Sequence, residues 1–311
     1  MKSTIAALLL VMLTLPGPGF VHGQESGPDL AARPVRTPSV VATGQEQATP
    51  DTTPTTESEQ CGMVAQQFYS PARNKDTTYL AFVPPQSENG QLFPVFYLLH
   101  GAWDGYQAWN EHAHSELSQL SRQHGLIIVT PDGDEFGWYA DSALDPANRI
   151  ETYLIHELLP HVQKNLPAND HYGIGGLSMG GHGAFVLTLR HPGLFKSVSS
   201  MSGILDLTRH TDNWELPRVF GPFNSDNQET WFSHSAVHLA QRYPDRLKGL
   251  PLLITVSTGD PHSLEDNRLF ARTLTSLGIK HRYEEKPGLH DWTYWMSQLP
   301  EHVAFHAQSL K

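Results

Sequence analysis

Cysteine is nearly missing from this chain: Cys61 stands alone among 311 residues. One thiol can form neither an intrachain disulfide framework nor a cysteine-rich zinc site. Cations are scarce as well, with 21 Lys and Arg against 32 Asp and Glu and a formal net charge of −11. A nucleic-acid partner needs clustered cations and is not expected. No apolar run is long enough to cross the roughly 30 Å of a bilayer's hydrocarbon core. The phosphate-cradling G-x-x-x-x-G-K and dinucleotide-binding G-x-G-x-x-G patterns are absent too. The apolar share, 39%, is low for a globular chain and suggests that part of it stays outside any core. Histidine, in contrast, is abundant, at 18 residues.

Composition divides the chain into three. Lys2, the apolar run of residues 5–15, the break at Pro16-Gly17-Pro18 and the small-residue exit at Val21-His22-Gly23 read as a secretory signal over residues 1–23. Residues 24–60 hold no aromatic side chain and are rich in Thr, Pro, Ser, Gln and Glu. They bury too little to offset the entropy of ordering, so an extended linker is expected there. These features predict a secreted or periplasmic protein with no membrane-spanning segment after signal removal. One folded domain is expected over residues 61–311, opening at Cys61.

Within that domain, strand-like runs at 77–83, 93–99, 126–130, 171–175, 197–201, 251–257 and a polar 281–285 alternate with helix-period stretches. The latter lie at 149–166, 179–190, 231–242, 264–277 and 292–309, and Tyr153, Leu154, Leu158 and Leu159 illustrate the spacing. Such alternation implies an α/β domain: a mostly parallel sheet with helices on both faces and ligand sites beyond the carboxyl ends of its strands.

Gly176-Leu177-Ser178-Met179-Gly180 fits G-x-S-x-G and lies between a strand-like run and a helix start. A strand that turns abruptly into a helix strains its middle residue, and side chains two positions to either side would collide, hence the glycines. The turn presents the Ser178 hydroxyl near free helix N-terminal N–H groups, which suit a developing oxyanion. The run 93–99 leads into His100-Gly101-Ala102-Trp103. In α/β-hydrolases such a loop supplies one oxyanion donor and the residue after the nucleophile another, which here are the N–H groups of Ala102 and Met179. His100 would then shape the loop.

The acid and the base follow the nucleophile in this fold. Asp260 comes just past the run 251–257, where a triad acid belongs; Glu265 and Asp266 compete, but they open a helix and suit its dipole. His290 lies in the loop after the last strand. His262, His281, His302 and His306 are alternatives, the last three reading as surface positions at a strand start and on the terminal helix. His156-Glu157-Leu158-Leu159-Pro160-His161 nearly spells H-E-x-x-H, but on a helix i+5 points away from i, and His112 and His114 lack a third ligand. No metal site is expected.

From about Thr78 onward the chain resembles the esterase D-like family of α/β-hydrolases, which includes S-formylglutathione hydrolases, tributyrin, acetyl and feruloyl esterases, and mycobacterial mycolyltransferases. YLLHGAWDGYQAW, VTPDGDEFGWYADS, ETYLIHELLPHV, GGLSMGGHGAF, HPGLFKSVSSMSG and PGLHDWTYW carry the likeness, in that order. The resemblance implies Ser178 as nucleophile, His290 as base, Asp260 as acid, and Ala102 and Met179 as oxyanion donors. It also places Trp138 and Tyr139 near the site's mouth, either in a substrate pocket or packed beneath the loop; Trp103 and Trp292 are similar candidates. Two positions depart from the family: Ser257-Thr258-Gly259-Asp260 replaces the usual Gly-x-x-Asp, and His182 replaces an aromatic or small residue. The expected activity is a cofactor-free, exported serine esterase. Its substrates would be short or medium acyl esters (acetyl, butyryl or feruloyl) of small molecules or saccharides, cleaved through an acyl-enzyme. Acyl transfer of the mycolyltransferase type is the second reading, and a catalytically silent domain that binds polysaccharide or cell wall is the third. Export counts against S-formylglutathione as the substrate.

Overall fold

The computed structural model describes residues 62–86 and 90–311. The expected signal and linker, and Cys61, lie outside the described residues. Eight strands form one sheet in the order β1-β2-β4-β3-β5-β6-β7-β8. β1 (Gly62–Ser70) and β2 (Lys75–Val83) form an antiparallel hairpin, and β2 also runs antiparallel to β4 (Ile127–Pro131). Every pair beyond that is parallel: β4 with β3 (Phe93–Leu99), then β5 (Ala168–Leu177), β6 (Ser197–Met201), β7 (Leu252–Ser257) and β8 (Arg282–Lys286). The central strands are buried almost throughout, because parallel strands carry helices on both faces.

The helices follow in chain order as α1 (Ala108–His124), α2 (Ile150–Thr152), α3 (Leu159–Asn165), α4 (Met179–Arg190), α5 (Leu216–Phe220), α6 (Gln228–Phe232), α7 (Ala236–Arg242), α8 (Leu264–Ser276) and α9 (Trp292–Ser309). Alternate residues of β3 point to opposite faces: Phe96 and Leu98 pack with α1 and α9, whereas Val95, Tyr97 and Leu99 pack into the larger core with α3, α4, α7 and α8. α2 and α3 are joined through a π-helical stretch, Tyr153–Leu158, where Leu159 N–H bonds back to Leu154 O. Pro160 accounts for the wider turn, since it has no N–H to give and its ring would strike the carbonyl one turn earlier.

Three of the differences from the expectations have a clear physical cause. α1 was not anticipated, because its buried stripe of Trp109, Ala113, Leu117 and Leu120 holds few large apolar residues among polar ones. β1 was missed because Gln66 and Gln67 interrupt its apolar alternation. The helix expected at 231–242 is broken into α6 and α7. There the side chains of Ser233 and His234 donate to Thr230 O and that of Ser235 to Trp231 O, at 2.7–3.0 Å, taking over carbonyls that a continuous helix would use.

His302 and His306, expected on the surface, are fully buried between α9 and the sheet. His306 bonds Ser197 Oγ at 2.7 Å and Ser199 Oγ at 2.9 Å; His302 bonds Ser199 Oγ at 2.9 Å and Thr255 Oγ1 at 3.0 Å. Phe96 stacks on His306 with ring centroids 4.0 Å apart. A Cβ at Gly173 would lie 2.6 Å from His306 Nδ1 and one at Gly175 3.1 Å from its Nε2, so the two glycines of β5 leave room for the ring. Hydroxyls rotate to serve a neutral imidazole's one donor and one acceptor, but they cannot solvate a buried cation. Burial accordingly lowers the His302 pKa to about 3 and holds that of His306 well below its ordinary value.

Unfolding returns both rings to the ordinary value of 6.5, so below that pH the unfolded chain binds more protons than the native one and stability falls as pH drops. Each ring adds a slope of about 1.4 kcal/mol per pH unit in that range. Thermal unfolding followed from about pH 7 to about pH 4.5 should show Tm falling with acidification, and more gently in the His302→Gln/His306→Gln double variant, which keeps hydrogen-bonding groups. An unchanged slope in the double variant would contradict the assignment.

Candidate active site

β5 ends at Leu177 and α4 begins at Met179, leaving Ser178 between them at φ 49° and ψ −117°. A residue with a side chain adopts such a conformation only where its surroundings impose it. Ser178 N donates to Met201 O at 2.9 Å and Ser178 O accepts from His182 N at 3.0 Å, which anchors both sides of the turn. The end of β3 presses on the same turn. A Cβ at Gly176 would lie 2.6 Å from Leu99 O; one at Gly180 would lie 2.5 Å from Leu99 O and 2.6 Å from His100 O.

Ser178 Oγ lies 2.9 Å from His290 Nε2, and His290 Nδ1 lies 2.7 Å from Asp260 Oδ2. Asp260 is buried and accepts from His262 N at 2.8 Å, Ser263 N at 2.9 Å and Ser263 Oγ at 2.6 Å. Burial alone would raise its pKa, but the hydrogen bond and charge of His290, with the donors of Ser263, outweigh it and hold the carboxyl well below the usual carboxylate range. An ionised Asp260 fixes the proton on Nδ1 and leaves the Nε2 lone pair facing the Ser178 hydroxyl. Such a chain can accept the hydroxyl's proton while the oxygen bonds to an electrophilic carbon.

The competing residues are engaged elsewhere. Glu265 pairs with Arg268 at 2.7 Å. Asp266 does more than face a helix dipole: it is buried, and its ion pair with Arg209 and hydrogen bond with His210, both 2.9 Å, pin the loop that leads to Trp214. His281 bonds Ile279 O at 2.9 Å, and His302 and His306 belong to the buried network. His262 lines the cavity with its ring edge-on to His290, centroids 5.3 Å apart. His156 and His161 diverge: the first ring lies near His191, while the second stacks on Phe68 and bonds Tyr79.

The N–H groups of Ala102 and Met179 have no hydrogen-bond partner among the described residues. His100 holds the Ala102 loop in place. Its Nε2 accepts from Gly133 N at 2.8 Å, so the proton sits on Nδ1 and is donated to Gly101 O at 2.8 Å. Burial keeps that ring neutral by lowering its pKa.

A cavity of about 490 Å³ opens over Ser178. Trp103, Trp138 and Trp292 line it, with Trp103 67% exposed at the rim. Tyr139 does not: it is fully buried, its hydroxyl donates to His100 O at 2.9 Å, and its ring fills the space that Gly133 and Gly183 leave, so it packs beneath the loop. Trp214 and Trp295 were missed. Trp295 stands one helical turn beyond Trp292, a legible spacing, whereas Trp214 lies in a segment without a motif. Trp103, Trp138 and Trp214 have φ of 64°, 49° and 48°, so backbone strain gathers around the cavity.

Residues 70–306 match the family model "Esterase", described as "Putative esterase". The S-formylglutathione hydrolase of Bos taurus is 28% identical over 262 residues, covering 75% of this chain and 88% of that protein. A solved ferulic acid esterase superposes with a TM-score of 0.69 at 25% identity, over 81% of this chain and 100% of its own. The S-formylglutathione hydrolase of Agrobacterium tumefaciens gives a TM-score of 0.70 at 21% identity, over 79% and 95%. The eight-stranded sheet is thus an α/β-hydrolase fold, like those of its structural neighbours.

The pressure of β3 on the turn has a measurable consequence. Gly180→Ala would drive a methyl into two backbone carbonyls that cannot rotate away. It should cost about 1–3 kcal/mol in chemical denaturation. A loss below about 0.5 kcal/mol, within the range of an ordinary surface change, would show that the contact is not tight.

Proposed function

The chain belongs to the esterase family, and on that premise we propose that it is an exported serine carboxylic-ester hydrolase acting on short or medium acyl esters through an acyl-enzyme. The observation that carries this reading is the hydrogen-bonded chain Ser178–His290–Asp260 on a strained turn at the cavity floor. Ser178 Oγ attacks the ester carbonyl carbon and its proton passes to His290 Nε2. Asp260, ionised and held by Ser263, stabilises the resulting imidazolium. The oxyanion is received by the N–H groups of Ala102 and Met179, and His290 then gives the proton to the departing alcohol. Water reverses the sequence on the acyl-enzyme, and no cofactor takes part.

The tryptophan-lined wall supports an apolar or aryl acyl group, and the volume suits a small substrate. Acetyl, butyryl and feruloyl esters, including those of saccharides, fit that description. The leader of residues 1–23 supports export, which argues against an intracellular glutathione thioester even though relatives carry that activity in their names. A silent binding domain would have no need of an aligned Ser–His–Asp chain or free oxyanion donors.

Wild-type protein should hydrolyse p-nitrophenyl acetate and butyrate and be labelled at Ser178 by a fluorophosphonate. Ser178→Ala should abolish labelling and lower kcat/KM by at least about 10³-fold, and Asp260→Asn should lower kcat on the order of 10⁴-fold. Glu265→Gln should leave turnover unchanged, since that side chain pairs only with Arg268 among the described residues. A folded wild-type protein that resists the fluorophosphonate would sink the proposal.

A further inference from the structure

Two carboxylates reach the cavity wall, Asp104 and Asp291. Asp291 is occupied as the N-cap of α9, accepting from Tyr294 N at 2.9 Å. Asp104 has neither a hydrogen bond nor an ion pair among the described residues. Among the described residues no Lys or Arg lines the cavity, and burial lowers the pKa of His262, which leaves that ring a poor counter-charge. Half-burial pushes Asp104 up to about 6, with His112 opposing the shift and Glu111 adding to it; the carboxyl still ionises at neutral pH. It stands two residues beyond Ala102. A Cβ at Gly101 would lie 2.6 Å from Leu177 Cδ1, 3.6 Å from Ser178 Cβ and 3.7 Å from Asp104 Oδ2, which puts the carboxylate within about 7 Å of the serine, across Leu177.

We propose that Asp104 determines the charge selectivity of the site, repelling esters whose leaving group is anionic and favouring those whose leaving group is neutral or cationic. The inference rests on the ester-hydrolase reading and adds to it the class of alcohol or thiol accepted. A carboxylate without a hydrogen bond or ion pair in a partly desolvated cavity, one small-molecule width from the reacting atoms, acts on a second charge through an effective dielectric far below that of water. The resulting preference is on the order of ten- to a hundredfold in kcat/KM. Asp104 needs to touch no reacting atom for this; it is a specificity-determining residue.

The test uses three acetates of one aryl frame: an uncharged 3-nitrophenyl ester, the anionic 3-acetoxybenzoate and the cationic 3-acetoxy-N,N,N-trimethylanilinium. kcat/KM is measured for wild type, Asp104→Asn and Asp104→Ser. Comparing each variant with wild type on the same ester cancels the intrinsic reactivity of the leaving groups. Both variants should compress the cation-to-anion ratio by about tenfold or more at low ionic strength. High salt should compress it partly in wild type and little in the variants. Turnover of all three esters with a ratio that neither substitution nor salt alters would overturn the charge assignment alone. If wild type turned over none of them and resisted fluorophosphonate, the hydrolase reading would fall and this inference with it.

Discussion

The site is organised by one close approach, that of the last carbonyls of β3 to the turn at Ser178. Leu99 O and His100 O lie where side chains at positions 176 and 180 would otherwise go. The same two oxygens do further work. Leu99 O accepts from Trp109 Nε1 at 3.1 Å, which roots the start of α1, and His100 O accepts from the Tyr139 hydroxyl at 2.9 Å, which roots the loop after β4. A single strand end therefore sets the serine, the Ala102 loop and the floor of the cavity relative to one another. Packing this tight leaves few alternative arrangements for the turn, and the unfavourable φ of Ser178 persists because the neighbouring backbone over-determines it.

Around that frame, three carboxylates show how environment separates residues of one chemistry. Asp260 is buried yet ionised, because an imidazole and three donors compensate for the water it has lost. Asp266 is buried and shared between Arg209 and His210, and serves to hold a loop. Asp104 is half-buried with neither a hydrogen bond nor an ion pair among the described residues, which leaves its field directed into the cavity. The first suits orienting an imidazole and stabilising its charged form, the second architecture and the third discrimination.

Much of this was legible in the sequence, for identifiable reasons. The parallel strands could be read because burial on both faces makes them near-continuous apolar runs, and the turn at Ser178 because its glycines answer a steric demand that few other residues meet. Asp260 was separable from Glu265 and Asp266 by its place just beyond a strand end, and His290 stood in a loop of the right order. What escaped was set by tertiary contact. Gln66 and Gln67 hid β1, and the side-chain caps of Ser233 and Ser235 broke a helix that periodicity joined. Trp214 reaches the cavity only because a loop distant in sequence folds over it. The burial of His302 and His306 depended on small residues on three separate strands, a correspondence that no local window contains.

That last arrangement reaches further than stability. His302 and His306 are keyed into hydroxyls of β6 and β7 and into the space beside Gly173 and Gly175, so α9 can neither slide along the sheet nor turn about its axis without breaking several hydrogen bonds at once. The loop bearing His290 enters directly at the other end of that helix, about 20 Å away by helical rise. The terminal helix thus behaves as a clamped rod, and the position of His290 at its N-terminal end is inherited from where the rod is bolted down.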